Sequence, residues 1–397
     1  MKIVCVGGGP AGLYFALLMK QADASHDVVV YERNPPDVTH GWGVTFWDTL
    51  LDELRQHDAK SAEAMAAAAY EWSGQDVVVE GKRLERVSGS GYGIDRQALI
   101  HLMSERAVEV GVRVEFGREV APADVIGGAD LVVAADGVRS HTRQLHEHDF
   151  GARVEPARNQ FVWLGTPKVF SSFHYAFVRT EAGWIWWYAY GYSDDRSTVV
   201  VECSPETWQG LGLDRMGRQE TLDALQRLFA ADLDGHPLLA QPRDNDSVGW
   251  QSFPVVTNDR WVHGNMALMG DAAHTTHFSI GSGTMLALED AMTLAGSLQR
   301  HPDLATALQE YDTSRRAAVA PTQRDALLSL QWYENVPRYA ALGPDRLAAA
   351  MHRRRSPLLA RTPPALYFAL RGAVYNPVTR GLKRRVSALR PAPRTPA

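Results

Sequence analysis

The opening segment MKIVCVGGGPAGLYFALLMKQ restricts the fold more than any other part of the chain. Ile3 to Val6 read as a buried strand, the glycines that follow as a turn, and the segment from about Pro10 as a helix. Gly7, Gly9 and Gly12 complete G-x-G-x-x-G. The first glycine allows the tight turn, the second lets the backbone approach a pyrophosphate, and the third lets helix pack on strand. Pro10 and Ala11 lie at the helix start that would face the phosphates. A second strand, Val28 to Tyr31, ends at Glu32, 20 residues beyond Gly12, with Arg33 next to it. A carboxylate at that place accepts hydrogen bonds from ribose hydroxyls and disfavours a 2′-phosphate. The pattern predicts an adenine dinucleotide; an ordinary βαβ unit with a solvated Glu32 is the competing reading.

The same grammar returns in GDAAHTTHFSIGSGT, Gly270 to Thr284, between the apolar run Met266 to Met269 and a long helical pattern. A stretch with so few bulky side chains brings backbone N–H groups and a helix N-terminus up to something negatively charged. Between the two, past Arg96, a helical pattern leads to a strand around Val112 to Phe116 and then to LVVAADGVRSHTR, Leu131 to Arg143. There Asp136 and Gly137 close a turn, while Ser140 and Arg143 can tie down the next helix.

With these three motifs in this order the chain resembles the group A flavoprotein aromatic hydroxylases, the family typified by 4-hydroxybenzoate hydroxylase, over residues 1 to about 330. The resemblance implies that G-x-G-x-x-G, D-G and G-D cradle one FAD. It implies that Asp271, after Gly270, holds the ribityl chain, and that the helix starting near Gly283, with Gly281, Thr284 and Met285, points its N-terminus at the N1/C2 carbonyl edge of the flavin. A helix N-terminus carries roughly half a positive charge, which suits an anionic reduced flavin. Arg96 resembles the family arginine that reaches the phosphate or ribityl region, against the plainer reading of a solvated arginine at a helix start. GWGVTFWDTLLDEL, STVVVECSPETW, HFSIGSGTMLALEDA and WYENVPRY look more narrowly like the hydroxylases of salicyloyl-CoA and 2-aminobenzoyl-CoA. The first three also look like the violacein-type hydroxylases of tryptophan-derived metabolites. His277 and Phe278 stand where most of the family has a proline pair. Two departures weigh against a CoA thioester: Met285 occupies a position where lysine is expected, and no reductase-like second domain is present in these 397 residues.

The expected fold class is α/β, with a Rossmann-like FAD-binding domain, a discontinuous β-sheet substrate domain and C-terminal helices. The FAD-binding parts are 1–69, 92–150 and 262–330, and the substrate parts 70–91 and 151–261. A helical region at 331–385 and a flexible tail at 386–397 follow. From Gln160 to Cys203, runs rich in aromatic and β-branched residues alternate with turns, as in a mixed or antiparallel sheet. Trp42, Trp186, Tyr188, His277 and Trp332 are the candidate substrate contacts, although a Trp-rich strand such as Trp184 to Trp187 also serves as core. The halogenase motif G-W-x-W-x-I-P breaks off after Gly183 to Trp186. The stripe Leu304, Leu308, Tyr311 and Ala318 marks a helix. The basic runs His352 to Arg355 and Lys383 to Arg385 read as solvated faces or as holders of substrate phosphates or a carboxylate.

A formal net charge of −5 gives no case for nucleic acid, and no segment is apolar enough to span a bilayer. Cys5 and Cys203 stand alone, with no metal or disulfide spacing, so no metal is expected. Folded pattern begins at Lys2, so no leader is expected and the cytoplasm is the default, with the chain a monomer or homodimer. The family chemistry implies a single-component monooxygenase: NADH or NADPH reduces FAD, O2 adds to give a C4a-hydroperoxide, and its distal oxygen attacks an electron-rich phenol, aniline or indole ring in a pocket that excludes water. His277 and Phe278 are the catalytic candidates. The imidazole can accept the proton of the ring's activating group or hydrogen-bond it. It can also simply satisfy loop backbone groups, the reading preferred for His274. A flavin scaffold without turnover and a flavin reductase are the alternative functions.

Overall fold

The computed structural model describes residues 1–38, 41–242 and 245–375, so the Lys383 to Arg385 run and the expected tail lie outside the described residues. The strands are β1 (Lys2–Val6), β2 (Asp27–Glu32), β3 (Gly43–Phe46), β4 (Tyr70–Val79), β5 (Lys82–Asp95), β6 (Arg113–Phe116), β7 (Leu131–Ala134), β8 (Arg153–Thr166), β9 (Phe173–Thr180), β10 (Gly183–Gly191), β11 (Ser197–Cys203), β12 (Gln251–Thr257), β13 (Val262–His263) and β14 (Met266–Leu268). They form two sheets, ordered β13-β14-β7-β1-β2-β6 and β12-β8-β11-β10-β9-β4-β5-β3.

The first sheet is parallel except for the β13–β14 edge. Its central strands read as unbroken apolar runs because helices cover both faces, and Ile3, Cys5, Val30 and Leu131 to Ala134 are fully buried. Strand order reverses between β1 and β7, and a crevice for ligands opens at the carboxyl ends of strands at such a switch point. Both the first glycine turn and the Asp136 turn leave the sheet there. The helix Pro10–Ala22 packs against the helix Gly283–Arg300, which brings the third motif to the same crevice.

The second sheet is antiparallel apart from the β4–β9 pair. Its alternation separates the tryptophans of β10. Trp186 and Tyr188 join an aromatic core with Tyr175 and the C-terminal helices, while Trp187 points to the other face and stacks on Phe229 at 4.5 Å. Here β3, from the first stretch of chain, adds to the edge of this sheet. The expected boundary at 91 falls inside β5, and the one at 330 falls inside the helix Leu304–Glu334. That helix continues through Pro321, and its buried stripe passes through Val319, leaving Ala318 exposed. No helix among the described residues is long and apolar enough to cross a membrane.

Candidate active site

The three glycines of the first turn do different work. A Cβ on Gly7, where φ is 107°, would lie 2.2 Å from the Ala135 carbonyl oxygen, and one on Gly12 would lie 2.2 Å from the carbonyl oxygen of Gly7. Gly9 has an ordinary φ of −75° and nothing within 4 Å of its Cβ position, so packing does not require it. Its bare backbone is open to a ligand. Pro10 opens the helix and Ala11 is buried behind it. Glu32 is fixed by the turn itself: Gly8 N–H donates to Oε2 at 2.8 Å, and the backbone and side chain of Asn34 donate to Oε1 at 2.8 Å. A carboxylate has about four acceptor positions, which leaves capacity for a ribose hydroxyl. Arg33 is exposed beside it.

Asp95 caps the helix Arg96–Glu109 by accepting from Ala98 N–H at 2.9 Å, and so sets Arg96 at the crevice. Arg96 is half-buried, its Nε has no partner among the described residues, and while burial works against its charge the carboxylates of Asp271 and then Glu32 favour it. It is not the freely solvated arginine of the plainer reading. Asp136 accepts from Thr142 through Oδ2, while the buried Oδ1 has no partner among the described residues. Arg143 is fully enclosed and donates to Val138 O at 2.6 Å and Ala272 O at 3.0 Å, clamping the Asp136 turn to the Gly270 turn. The Gly270 turn is anchored by Asp290, which accepts from Gly270 N–H, meets His274 Nε2 at 2.8 Å, and pairs with Arg315. His274 therefore does structural work. Asp271 is exposed at this turn, where the surrounding protein raises its carboxyl pKa against the opposing pull of Arg96.

The helix Gly283–Arg300 starts without a side-chain cap, and its first N–H bonded within the helix is that of Leu286, to Ser282 O at 2.9 Å. Gly283 is exposed, and Thr284 and Met285 are half-buried, so the preceding N–H groups face open space. Gly281 has φ 63° and sits against Thr45 of β3. The Trp42 carbonyl accepts from Arg96 N–H at 3.2 Å, and the Trp42 ring covers Gly165, with its indole N–H lacking a partner among the described residues. Unpaired buried polar atoms cost about 1–3 kcal/mol each. Arg96 Nε, Asp136 Oδ1 and the uncapped helix start therefore suit a ligand carrying phosphates, hydroxyls and an electron-rich ring edge. FAD fits that description.

Beyond the helix start lies an aromatic corner. Phe278 is 4.7 Å from Phe161 and 5.8 Å from Tyr188, and His277 is 5.1 Å from Phe253. A narrow cleft here, too tight as it stands to admit a water molecule, is lined by Asn159, Phe161, Glu202, Phe253, His277 and Glu334, among others, so an aromatic ring enters it only if these side chains part. Glu202 accepts from Asn159 at 2.7 Å and from the Trp186 indole at 3.2 Å, and burial pushes its carboxyl up to about 7. Trp332 packs between Phe177 and Tyr339, away from this corner; its neighbour Tyr333 lies 6.1 Å from His277 and 5.9 Å from Trp186. Glu202, Tyr333 and Arg354 were not singled out from sequence. Glu202 had a signal, as the one charge in the apolar run VVVEC. Another cavity, of about 480 Å³, opens beside Arg139, Gln144 and Ser252, and no predicted substrate residue lines it. His146, Asp149 and His263 hold three ligand atoms within 4.8 Å of one another, away from this corner, with His146 already hydrogen-bonded to Asp149.

His277 is buried, and its Nδ1 meets Ser279 Oγ at 2.7 Å. Burial first, and the Arg354 cation second, hold its pKa down at about 3. The unfolded chain therefore binds more protons at this residue between about pH 3 and 6.5, and its contribution to stability rises with pH across that window. Glu202 has the opposite sign between about 4.5 and 7, where the folded state holds the extra proton. The two slopes oppose each other between pH 4.5 and 6.5. In His277→Gln, denaturant unfolding is expected to show stability falling by up to about 1.4 kcal/mol per pH unit from pH 5 to 6.5, relative to the parent. An unchanged difference between variant and parent across that range would remove His277 as a buried neutral group.

The FAD binding domain family matches residues 128–325. Salicyloyl-CoA 5-hydroxylase of Streptomyces sp is 38% identical over 94% of this chain and 72% of its own length. The 3-hydroxy-4-methyl-anthranilyl-(aryl-carrier protein) 5-monooxygenase of Streptosporangium sibiricum is 35% identical over 85% and 90%. Protodeoxyviolaceinate monooxygenase of Chromobacterium violaceum is 30% identical over 90% and 95%. Among solved structures, a tetrameric form of 2-methyl-3-hydroxypyridine-5-carboxylic acid oxygenase superposes with a TM-score of 0.66 at 19% identity, covering 92% of this chain and 97% of that one, a likeness of fold.

Proposed function

The chain belongs to the FAD-dependent aromatic monooxygenases, and from that premise we propose that its substrate is a hydroxy- or amino-substituted aromatic acyl group presented as a thioester, not as a free acid. Two of the relatives act on aryl-acyl groups held by CoA or by an aryl-carrier protein. The observation that carries the reading is the charge of the cleft. Of its nine lining residues two are carboxyls, Glu202 and Glu334, and none is lysine or arginine. A free carboxylate would meet Glu334 and a partly charged Glu202 with no lysine or arginine in the lining, and Arg354 behind it already donates to Ser329, Ser279 and Met351, whereas an uncharged acyl carbonyl would meet no such repulsion. Met285, in place of the lysine expected in the CoA-thioester enzymes, favours a carrier other than CoA or a tryptophan-derived ring as the second reading.

In this reading residues 1–69, 92–150 and 262–330 hold FAD, and 70–91 with 151–261 form the substrate side. The backbone of Gly9 to Ala11 at the helix start would meet the pyrophosphate and Glu32 the adenosine ribose. Arg96, Asp136 and Asp271 meet the pyrophosphate and ribityl chain, and the backbone of Gly283 to Met285 meets the pyrimidine edge. Bound FAD supplies the redox chemistry, passing electrons from NADH or NADPH and delivering one oxygen atom of O2 to the ring. The protein orients the substrate and excludes water: Phe161, Phe253, Phe278 and Tyr188 form a dry aromatic wall against which the ring lies.

The test uses FAD-loaded protein with NADH or NADPH and five probes: salicyloyl-CoA, 2-aminobenzoyl-CoA, salicylate, 2-aminobenzoate and indole. The thioesters are expected to accelerate NAD(P)H oxidation at least about 10-fold over the free acids, a difference of about 1.4 kcal/mol, and to yield products one oxygen heavier by mass spectrometry. Equal turnover of free acids, or turnover of indole alone, would reject the thioester.

A further inference from the structure

Behind the aromatic corner lies a guanidinium with an unusual setting. Arg354 belongs to the basic run that reads from sequence as a solvated face or as a holder of substrate phosphates or a carboxylate, yet it is 8% exposed and has no carboxylate partner among the described residues. Its Nε donates to Ser329 Oγ at 2.9 Å, one Nη donates to Ser279 O at 2.8 Å and the other to Met351 O at 3.0 Å. The rings of Tyr175 and Tyr333 lie 6.0 Å from it. Enclosing a cation without a counter-ion is expensive, so its hydrogen bonds have to offset that cost.

Those bonds run in one direction. Ser329 Oγ lies 2.7 Å from Ser279 Oγ, which lies 2.7 Å from His277 Nδ1. Arginine can only donate. Ser329 therefore accepts at its oxygen and has one proton to give, and Ser279 Oγ is the only acceptor the described residues offer it. Ser279, having accepted, gives its own proton to His277 Nδ1. The reverse order would leave the Ser329 proton unspent in a buried place, which is unfavourable. An Nδ1 that accepts leaves the ring's proton on Nε2, which has no partner among the described residues on a ring that lines the cleft.

We propose that Arg354, acting through Ser329 and Ser279, is a positioning residue that fixes His277 as the Nε2–H tautomer, so that the cleft offers its substrate a hydrogen-bond donor and selects an acceptor oxygen, the acyl carbonyl or a ring oxygen. The proposal rests on the reading above that His277 faces the substrate. It revises the simple base role: Nε2 already carries its proton and has no lone pair to offer the substrate, and protonating Nδ1 instead would require the Ser279 hydroxyl to turn and would make the ring a second cation near Arg354.

The test is the long-range 1H–15N spectrum of the FAD-loaded full chain labelled with [15N]histidine, with the His277 signals assigned by their loss in His277→Gln. At pH 7 the parent is expected to show an unprotonated Nδ1 and a protonated Nε2 in a ratio of at least about 10:1, the worth of one hydrogen bond. Ser279→Ala and Ser329→Ala are expected to move that ratio toward parity, and Ser329→Thr, which keeps the hydroxyl, to restore it. A parent with its proton on Nδ1, or a ratio that Ser279→Ala leaves unchanged, overturns the proposal, and the parent spectrum decides even where a variant fails to fold. Titration with salicylamide, an uncharged carbonyl probe, separates the two premises. A shift of His277 Nε2 on binding supports its place at the substrate, and saturation of the protein with Nε2 unmoved overturns that place while the tautomer result stands by itself.

Discussion

Gly9→Ala is expected to give a folded protein that binds FAD about 10- to 100-fold more weakly than the parent, a loss of about 1.4–2.7 kcal/mol. A methyl at Gly9 meets no protein atom within 4 Å and asks for no unusual backbone, so the fold loses almost nothing. Its place is the space through which the backbone would meet the pyrophosphate. Gly12→Ala is the contrasting case: its Cβ would lie 2.2 Å from the Gly7 carbonyl oxygen, so the helix must back away from the sheet at a cost of about 1–3 kcal/mol or more. Quenching of flavin fluorescence during titration, set beside thermal unfolding of both apo-variants, separates the two. Parent-like FAD affinity in Gly9→Ala would remove Gly9 from the cofactor site.

Asp290→Ala carries the largest expected cost in stability, about 3–5 kcal/mol in denaturant unfolding of the apoprotein. Asp290 has no exposed surface and is the shared partner of the Gly270 N–H, His274 and Arg315. Without it Arg315, itself enclosed, keeps only Glu289 as a carboxylate partner. Because Gly270 precedes Asp271 in the same turn, FAD retention should fall along with stability. A loss below about 1 kcal/mol, with flavin still bound, would show that the turn does not depend on this anchor.

The turns that frame the proposed cofactor crevice were legible in the sequence because each motif is local. Tight turns and close approaches fix Gly7 and Gly12 whatever the rest of the chain does, and the Asp136 and Gly270 turns leave neighbouring parallel strands. The substrate side was less legible because it depends on phase and burial. Trp332 and Tyr333 are adjacent on a 31-residue helix, where one residue is a rotation of about 100°, and the sequence stripe does not fix which of the two meets His277. The same slip of one residue separates Ala318 from the buried Val319. Trp186 and Trp187 divide between two faces as a strand requires, but only the sheet order tells which face looks toward the helices of the site. The run that holds Arg354 was visible, but nothing local marked which of its arginines is buried. One arginine in a run of three is buried because Ser279, Ser329 and Met351 converge on it from distant parts of the chain.

The central claim is that FAD lies in the crevice at the β1/β7 switch point with its pyrimidine edge toward the uncapped helix start. A crystal structure of the FAD-loaded protein tests it most directly. The expected result places the pyrophosphate over Gly9, the ribityl chain by Asp271, and the flavin N1/C2 edge within hydrogen-bond reach of the backbone N–H groups of Gly283 to Met285. An isoalloxazine bound elsewhere, or bound with that edge turned away from the helix, would contradict it.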